Sequence, residues 1–194
     1  MDAFRYWLAV VLWVSFLPAL GFWLLVHPFV GFWRRLGPAV SYGVLLTLVA
    51  AGMASAYAVR EWVLAVDFGT SGWTVGVGVV FLLAAAAARW PIERTLTTRA
   101  LLGLPELSPE RHPTALATTG PYAWVRHPRY VQVSTALLGW ALLANYLVGY
   151  VLLVLWIPAL LAVVALEERE LRDRFGSAWE DYARRVPRFL PRRP

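Results

Sequence analysis

Apolar positions in this chain come in long blocks, not in the alternation of a half-buried strand or the one-sided stripe of a soluble helix. Residues 4–27 form the first block. At about 1.5 Å per residue it is long enough to cross a hydrocarbon core of about 30 Å. No basic segment precedes it and no small-residue cleavage site follows, so it reads as a retained span. Pro18 is expected to bend it, and His27-Pro28 to close it, with His27 as an interfacial cap. A short loop carrying Arg34-Arg35 leads to a second span over 40–59. Arg60, Glu61 and Asp67 then mark a loop, with Trp62 as an interface anchor. The third span covers 72–88. Its Gly72, Gly76 and Gly78 suit close helix approach, and serve equally as flexibility at a helix start.

The pattern then changes. Residues 89–129 are polar and broken by Pro91, Pro105, Pro109 and Pro113, a connection long enough to be functional in itself. An uninterrupted apolar block, 131–166, follows and ends abruptly at Glu167-Glu168. Asn145 and Gly149 divide it into two further spans, 130–146 and 149–166, with Pro158 bending the second. A charged amphipathic helix is expected over 167–185, before a proline- and arginine-rich tail. The fold class is therefore all-α: one polytopic membrane domain over residues 1–194, with five transmembrane helices and a C-terminal helical hairpin. Residues 112–194, which hold its main polar clusters, are the part that the family resemblance given below makes its cofactor pocket, on the cytoplasmic side.

Composition strengthens this picture. Hydrophobic residues make up 59% of the 194, and mean hydropathy is +0.57, above what soluble domains carry. There is no cysteine, hence no disulfide framework and no thiolate for catalysis or metal, and no metal site is expected. The net charge of +6 comes from 18 arginines and no lysine. With five spans, every arginine except Arg5 and Arg60 falls on one face, which the positive-inside rule assigns to the cytoplasm, most simply of a plasma (inner) membrane. A basic face beside membrane spans meets anionic lipid, so nucleic acid is not an expected partner, and no protein partner can be inferred.

The chemistry gathers where the last two spans begin and end. Gly120-Pro121-Tyr122-Ala123-Trp124-Val125-Arg126-His127-Pro128-Arg129-Tyr130 brings together a turn signal, arginines, a histidine and aromatics. If 131–166 folds back on itself, Glu167-Glu168 returns to meet them. Glu168 and Glu170 have Arg172 and Arg174 four residues on, ready helical ion pairs. Glu167 has Leu171 there and follows Val163 on the same face. An acid at the edge of an apolar span without an intrahelical partner is a functional candidate.

Arg-His-Pro-x-Tyr, a hydrophobic hairpin and Glu-Glu together resemble the signature of the integral-membrane methyltransferases that act on isoprenylcysteine carboxyl groups or phosphatidylethanolamine. The tail, with Phe175-Gly176, Tyr182 and Val186-Pro187-Arg188-Phe189-Leu190-Pro191, is similar to that superfamily's C-terminal end. The resemblance covers roughly residues 114–191. It implies S-adenosyl-L-methionine as cofactor and a lipid or lipid-like methyl acceptor drawn from the bilayer. It implies cofactor-binding roles for His127, Pro128, Arg129 and Tyr130, for Gly120 and Tyr122 of a Gly-x-Tyr element, and for Leu116 and Ala117 as backbone contacts to adenine. It makes Glu167 the contact to the cofactor's amino group, and Glu167, Glu168 and Arg126 the catalytic set. The ligand's own chemistry agrees: its ammonium calls for a carboxylate, its carboxylate for a cationic or donor group such as His127 with Arg126, and its adenine for a slot such as Tyr122 with Leu116.

Departures from the pattern narrow the substrate. Gln132 stands where Tyr-x-Gly is usual, and Thr114-Ala115-Leu116-Ala117 keeps only the leucine of a His-x-Leu-Val element, with His112 two residues earlier. Isoprenylcysteine enzymes resemble one another in an arginine four residues before the first glutamate, where this chain has Val163. A buried substrate carboxylate without that cation is costly, so a lipid amine fits better. The competing readings are a membrane NADPH-dependent reductase related to sterol reductases, whose C-terminal layout is similar, and a non-catalytic membrane scaffold.

Overall fold

The computed structural model describes residues 2–26, 28–95 and 115–191. The expectations placed on His27, His112 and Thr114, and on the connection over 96–114, lie outside the described residues. Within them the chain is all-helical, with no strand and one isolated bridge between Asp67 and Tyr146.

The apolar blocks become long helices with boundaries close to those expected. α1 is Asp2–Val26, α2 the short Val30–Leu36, α3 Pro38–Ala58, α4 the single turn Arg60–Val63 and α5 Gly72–Thr95. A 3-10 turn, Gly120–Ala123, precedes α6 (Pro128–Ala144), α7 (Leu147–Phe175) and α8 (Ser177–Arg185). α1, α3, α5 and α7 are long and apolar enough to cross a membrane. α6, with 17 residues, is shorter. The outward faces stay apolar: only 17% of the most apolar stretch of α3, and likewise of α5, is buried within the protein. In water such surfaces would aggregate; against lipid they cost nothing.

Three expectations need correction. The Arg34-Arg35 loop is largely helical, closed by Gly37 at φ 78°, whose carbonyl accepts from the Ser41 hydroxyl at 2.8 Å. The third span does not stop at Ala88. It runs two turns further, past Pro91, because Arg89 pairs with Glu93 at 2.7 Å, Arg94 lies over the Trp90 ring at 3.5 Å, and Ile92 is buried. Glu167 does not open a separate helix. α7 continues through both glutamates to Phe175 and breaks only at Gly176, φ 53°.

Packing sets the two ends of the bundle apart. α5 crosses α6 where Gly78 meets Gly139: a Cβ on Gly139 would sit 2.8 Å from the Gly78 carbonyl. Among the described residues a Cβ on Gly72 or Gly76 would meet no other element within 4 Å, so of the three glycines Gly78 makes the close approach. α6 and α7 are joined by Asn145, in the left-handed conformation, and Tyr146. They are tied by the Trp156 indole N–H, which donates to the Ser134 hydroxyl at 2.7 Å. The main core forms where α1 packs on these two helices, through Leu12, Phe16, Ala141 and Leu152.

At one end Arg5, 1% exposed, donates to the Ala144 carbonyl at 3.0 Å and pairs with Asp67. This gathers the start of α1, the loop before α5 and the α6–α7 turn. At the other end Arg34 of α2 pairs with Glu170 of α7 at 3.2 Å. The start of α6 lies at that same end, packed against the charged final turns of α7.

Candidate functional site

The start of α6 fixes the first part of the site. Pro128 occupies the first helical position, where its missing N–H is no loss. His127 stands at the N-cap, but its side chain makes no capping hydrogen bond. The imidazole turns inward instead, 3% exposed. There it meets α7, which has returned across the bundle and presents Glu167 and Glu168 on successive positions. His127 and Glu168, 41 apart in sequence, thereby come together.

Glu168, not Glu167, is the more buried acid, at 5% exposure. Its Oε1 accepts from His127 Nε2 at 3.1 Å and is ion-paired with Arg126 Nη1 at 2.9 Å. Arg188, in the tail, donates Nε to Oε1 at 3.0 Å and to Oε2 at 3.1 Å, and Nη2 to Oε2 at 2.6 Å. Hydrogen bonding to this carboxylate raises the Arg188 pKa above its usual value, outweighing partial burial. The expected helical pair between Glu168 and Arg172 is not formed. Arg172 faces Glu180 instead, with 4.0 Å between Nε and Oε1. An exposed i,i+4 pair contributes only about 0.2–0.5 kcal/mol, so three donors converging on a buried anion outcompete it.

Glu167 is the less committed acid. Its side chain is 32% exposed, yet Oε2 is buried and accepts no hydrogen bond among the described residues. That oxygen lies 3.7 Å from His127 Nδ1. A carboxylate only accepts, so the hydrogen bond to Glu168 puts the imidazole proton on Nε2. With the ring neutral, Nδ1 is an acceptor 3.7 Å from the unsatisfied Oε2; with the ring protonated, it is a donor toward it. The neutral form leaves two acceptors facing each other, an arrangement that a cationic N–H donor satisfies.

Buried Tyr122 lies within electrostatic reach of Glu167. Burial first, then the Glu167 charge, pushes its phenol well above its usual pKa, with Arg129 offsetting part of this. It remains a neutral hydroxyl. Its carbonyl accepts from the Tyr182 hydroxyl of α8 at 2.7 Å; burial pushes that phenol up to about 12. Gly120 opens the turn at φ 58°, and a Cβ there would come 2.9 Å from the Thr95 hydroxyl at the end of α5. The Tyr130 ring lies 5.8 Å from that of His127. Leu116 and Ala117 are half-buried in the irregular segment that leads into the turn.

The structure thus brings together Arg126, His127, Glu167 and Glu168, with Tyr122 and Tyr130 around them. Arg126, expected to serve the ligand's carboxylate, pairs with Glu168 through Nη1. Missing from the expected set were Arg188, which grips Glu168, Tyr182, which donates to the Tyr122 carbonyl, and buried Trp179, whose ring lies under Arg126. The family-like tail motif signalled the first two.

Comparison with known proteins bears on what this pocket does. The family model described as phospholipid methyltransferase matches residues 73–178, more than half of the chain. A nickel-cobalt-cadmium resistance protein of Alcaligenes xylosoxydans xylosoxydans is 31% identical over 134 residues, covering 62% of this chain and 63% of that protein. A cobalt-zinc-cadmium resistance protein of Cupriavidus metallidurans is 36% identical over 83 residues, 42% of this chain and 38% of the relative. A Delta(14)-sterol reductase of Gallus gallus is 35% identical over 74 residues, 37% of this chain but 12% of the reductase. The chain therefore spans less than two thirds of each of these relatives. No solved structure matches it significantly.

Proposed function

Since the chain belongs to the phospholipid methyltransferase family, a family of membrane methyltransferases, we propose that it transfers a methyl group from S-adenosylmethionine to an amphiphilic acceptor in the bilayer. The observation that carries this is the buried, unsatisfied Oε2 of Glu167 facing His127 Nδ1. These two acceptors fit a primary ammonium, the charged end that distinguishes this cofactor from a dinucleotide.

When bound, S-adenosylmethionine supplies an activated methyl group on a sulfonium leaving group. The protein's part is alignment and exclusion of water. Glu167 and His127 hold the ammonium. Arg129, whose charge reaches Tyr122, is the cation for the cofactor's carboxylate. Tyr122, Leu116 and Ala117 form the adenine side, with Gly120 admitting the close turn and Pro128 and Tyr130 framing His127. Glu168, fixed by Arg126, His127 and Arg188, is a poor base, and we assign it to orientation. An amine acceptor must therefore lose its proton before it reaches the methyl group, or to a group other than Glu168.

One domain over residues 1–194 fits this reading, with α6 as a fifth span that brings its N-terminus to the same end as α2 and the tail. Apart from Arg5 and Arg60, the described arginines then share that end, the cytoplasmic side of a plasma (inner) membrane, and the acceptor enters from lipid between helices. Val163, 3% exposed, offers no cation to a substrate carboxylate, which favours a lipid amine.

The reductase match supports a second reading, dinucleotide binding in the same pocket. A bilayer assay separates the two. Purified protein in phospholipid vesicles, given methyl-labelled S-adenosylmethionine, is expected to move label into the organic-extractable fraction. Label that stays aqueous with every lipid amine and thiol tried would count against methyl transfer.

A further inference from the structure

The C-terminal tail is built into the pocket from outside the helical bundle. After α8 it runs back over the start of α6. The Arg126 N–H donates to the Pro187 carbonyl at 2.8 Å and the His127 N–H to the Arg188 carbonyl at 3.1 Å. The Phe189 ring lies 5.9 Å from the His127 ring. Both backbone donors belong to residues at the mouth of α6 whose N–H groups have no intrahelical partner, so the strap supplies what the helix start lacks. Upstream, the buried Tyr182 pins the strap's base to the Tyr122 turn.

From this strap Arg188 reaches inward. Its own side chain is 51% exposed, whereas that of Glu168 is 6% exposed. It spans both carboxylate oxygens, while Arg126 Nη1 and His127 Nε2 meet Oε1. A planar guanidinium that grips two oxygens fixes the carboxylate plane; two donors on one oxygen leave it free to turn. The orientation of Glu168 in turn holds the His127 ring, its proton on Nε2 and its Nδ1 toward Glu167.

We propose that Arg188 is a positioning residue for the ammonium pocket. By locking Glu168 it holds His127 in the orientation that makes Nδ1 and Glu167 a joint receptor, so the pocket is complete only while the C-terminal strap is latched. This rests on the cofactor reading above and adds to it a part played by the tail.

The test compares two ligands that share one end. S-adenosylhomocysteine carries the amino-acid end; 5′-methylthioadenosine has the adenosine and thioether without it. Both are titrated into wild type, Arg188→Gln and Arg188→Lys in the same detergent. Arg188→Gln is expected to weaken S-adenosylhomocysteine by roughly tenfold or more while leaving 5′-methylthioadenosine unchanged. Lysine, a point charge that cannot span both oxygens, is expected to give an intermediate loss confined to S-adenosylhomocysteine. Parallel weakening of both ligands means that the tail acts only as general scaffolding and overturns the proposal, as does no weakening of either. If Arg188→Gln loses its folded elution profile, the lysine variant decides by the same criterion. Wild type that binds neither ligand overturns the cofactor reading itself, and the proposal with it.

Discussion

Glu167→Gln is expected to lower affinity for S-adenosylmethionine by about ten- to a hundredfold, the effect of losing a charge-assisted hydrogen bond of roughly 1.5–3 kcal/mol. The amide keeps the size of the side chain and removes its charge. The fold should barely change, because among the described residues no donor depends on Glu167 Oε2. Calorimetric titration read beside a thermal unfolding curve checks both halves. The expected pattern is a large loss of binding with the unfolding midpoint held. An unchanged dissociation constant would remove the ammonium site from the account.

Glu168→Ala is expected to act on the fold as well as on the site. It leaves Arg126, 13% exposed, and His127, 3% exposed, beside an emptied position without their shared anion. Breaking a buried ion pair from one side costs about 3–5 kcal/mol, and the half-exposed Arg188 adds little, so a loss near the lower figure is expected. It should appear as a lower unfolding midpoint in detergent, together with loss of cofactor binding. The contrast between neighbours is the informative part: Glu167 governs the ligand, whereas Glu168 governs the protein around it. A Glu168→Ala variant as stable as wild type would mean that the cluster is not the hub its distances describe.

The sequence made the scaffold legible and left the wiring of the site obscure, for physical reasons. α1 and α3 lie within two residues of their expected bounds because an apolar run fixes a membrane-length helix without help from its neighbours. α5 was expected to be too short because Arg89 and Pro91 look like an ending; the pairing of Arg89 with Glu93 and the stacking of Arg94 on Trp90 are what carry the helix on. The meeting of His127 with the two glutamates followed from the length of 131–166 and one turn at Asn145.

What the sequence could not show is which glutamate faces which partner. Local spacing paired Glu168 with Arg172, whereas the winning cation is Arg188, twenty residues on and brought back by the Gly176 turn and the strap. Tertiary desolvation decided that choice, and no periodicity encodes it. Gly139 is a similar case. It looks like an ordinary residue in an apolar run, and only its crossing with Gly78 reveals the need for no side chain.

The central claim is that this pocket holds S-adenosylmethionine by its ammonium end. The most direct measurement is calorimetric titration of S-adenosylmethionine into the detergent-purified, folded protein, with NADPH titrated in parallel. Saturable binding of S-adenosylmethionine with no heat from NADPH is the predicted result. Binding of NADPH alone would contradict the account and assign the pocket to reductase chemistry; silence from both, with the unfolding transition intact, would contradict it in favour of a scaffold.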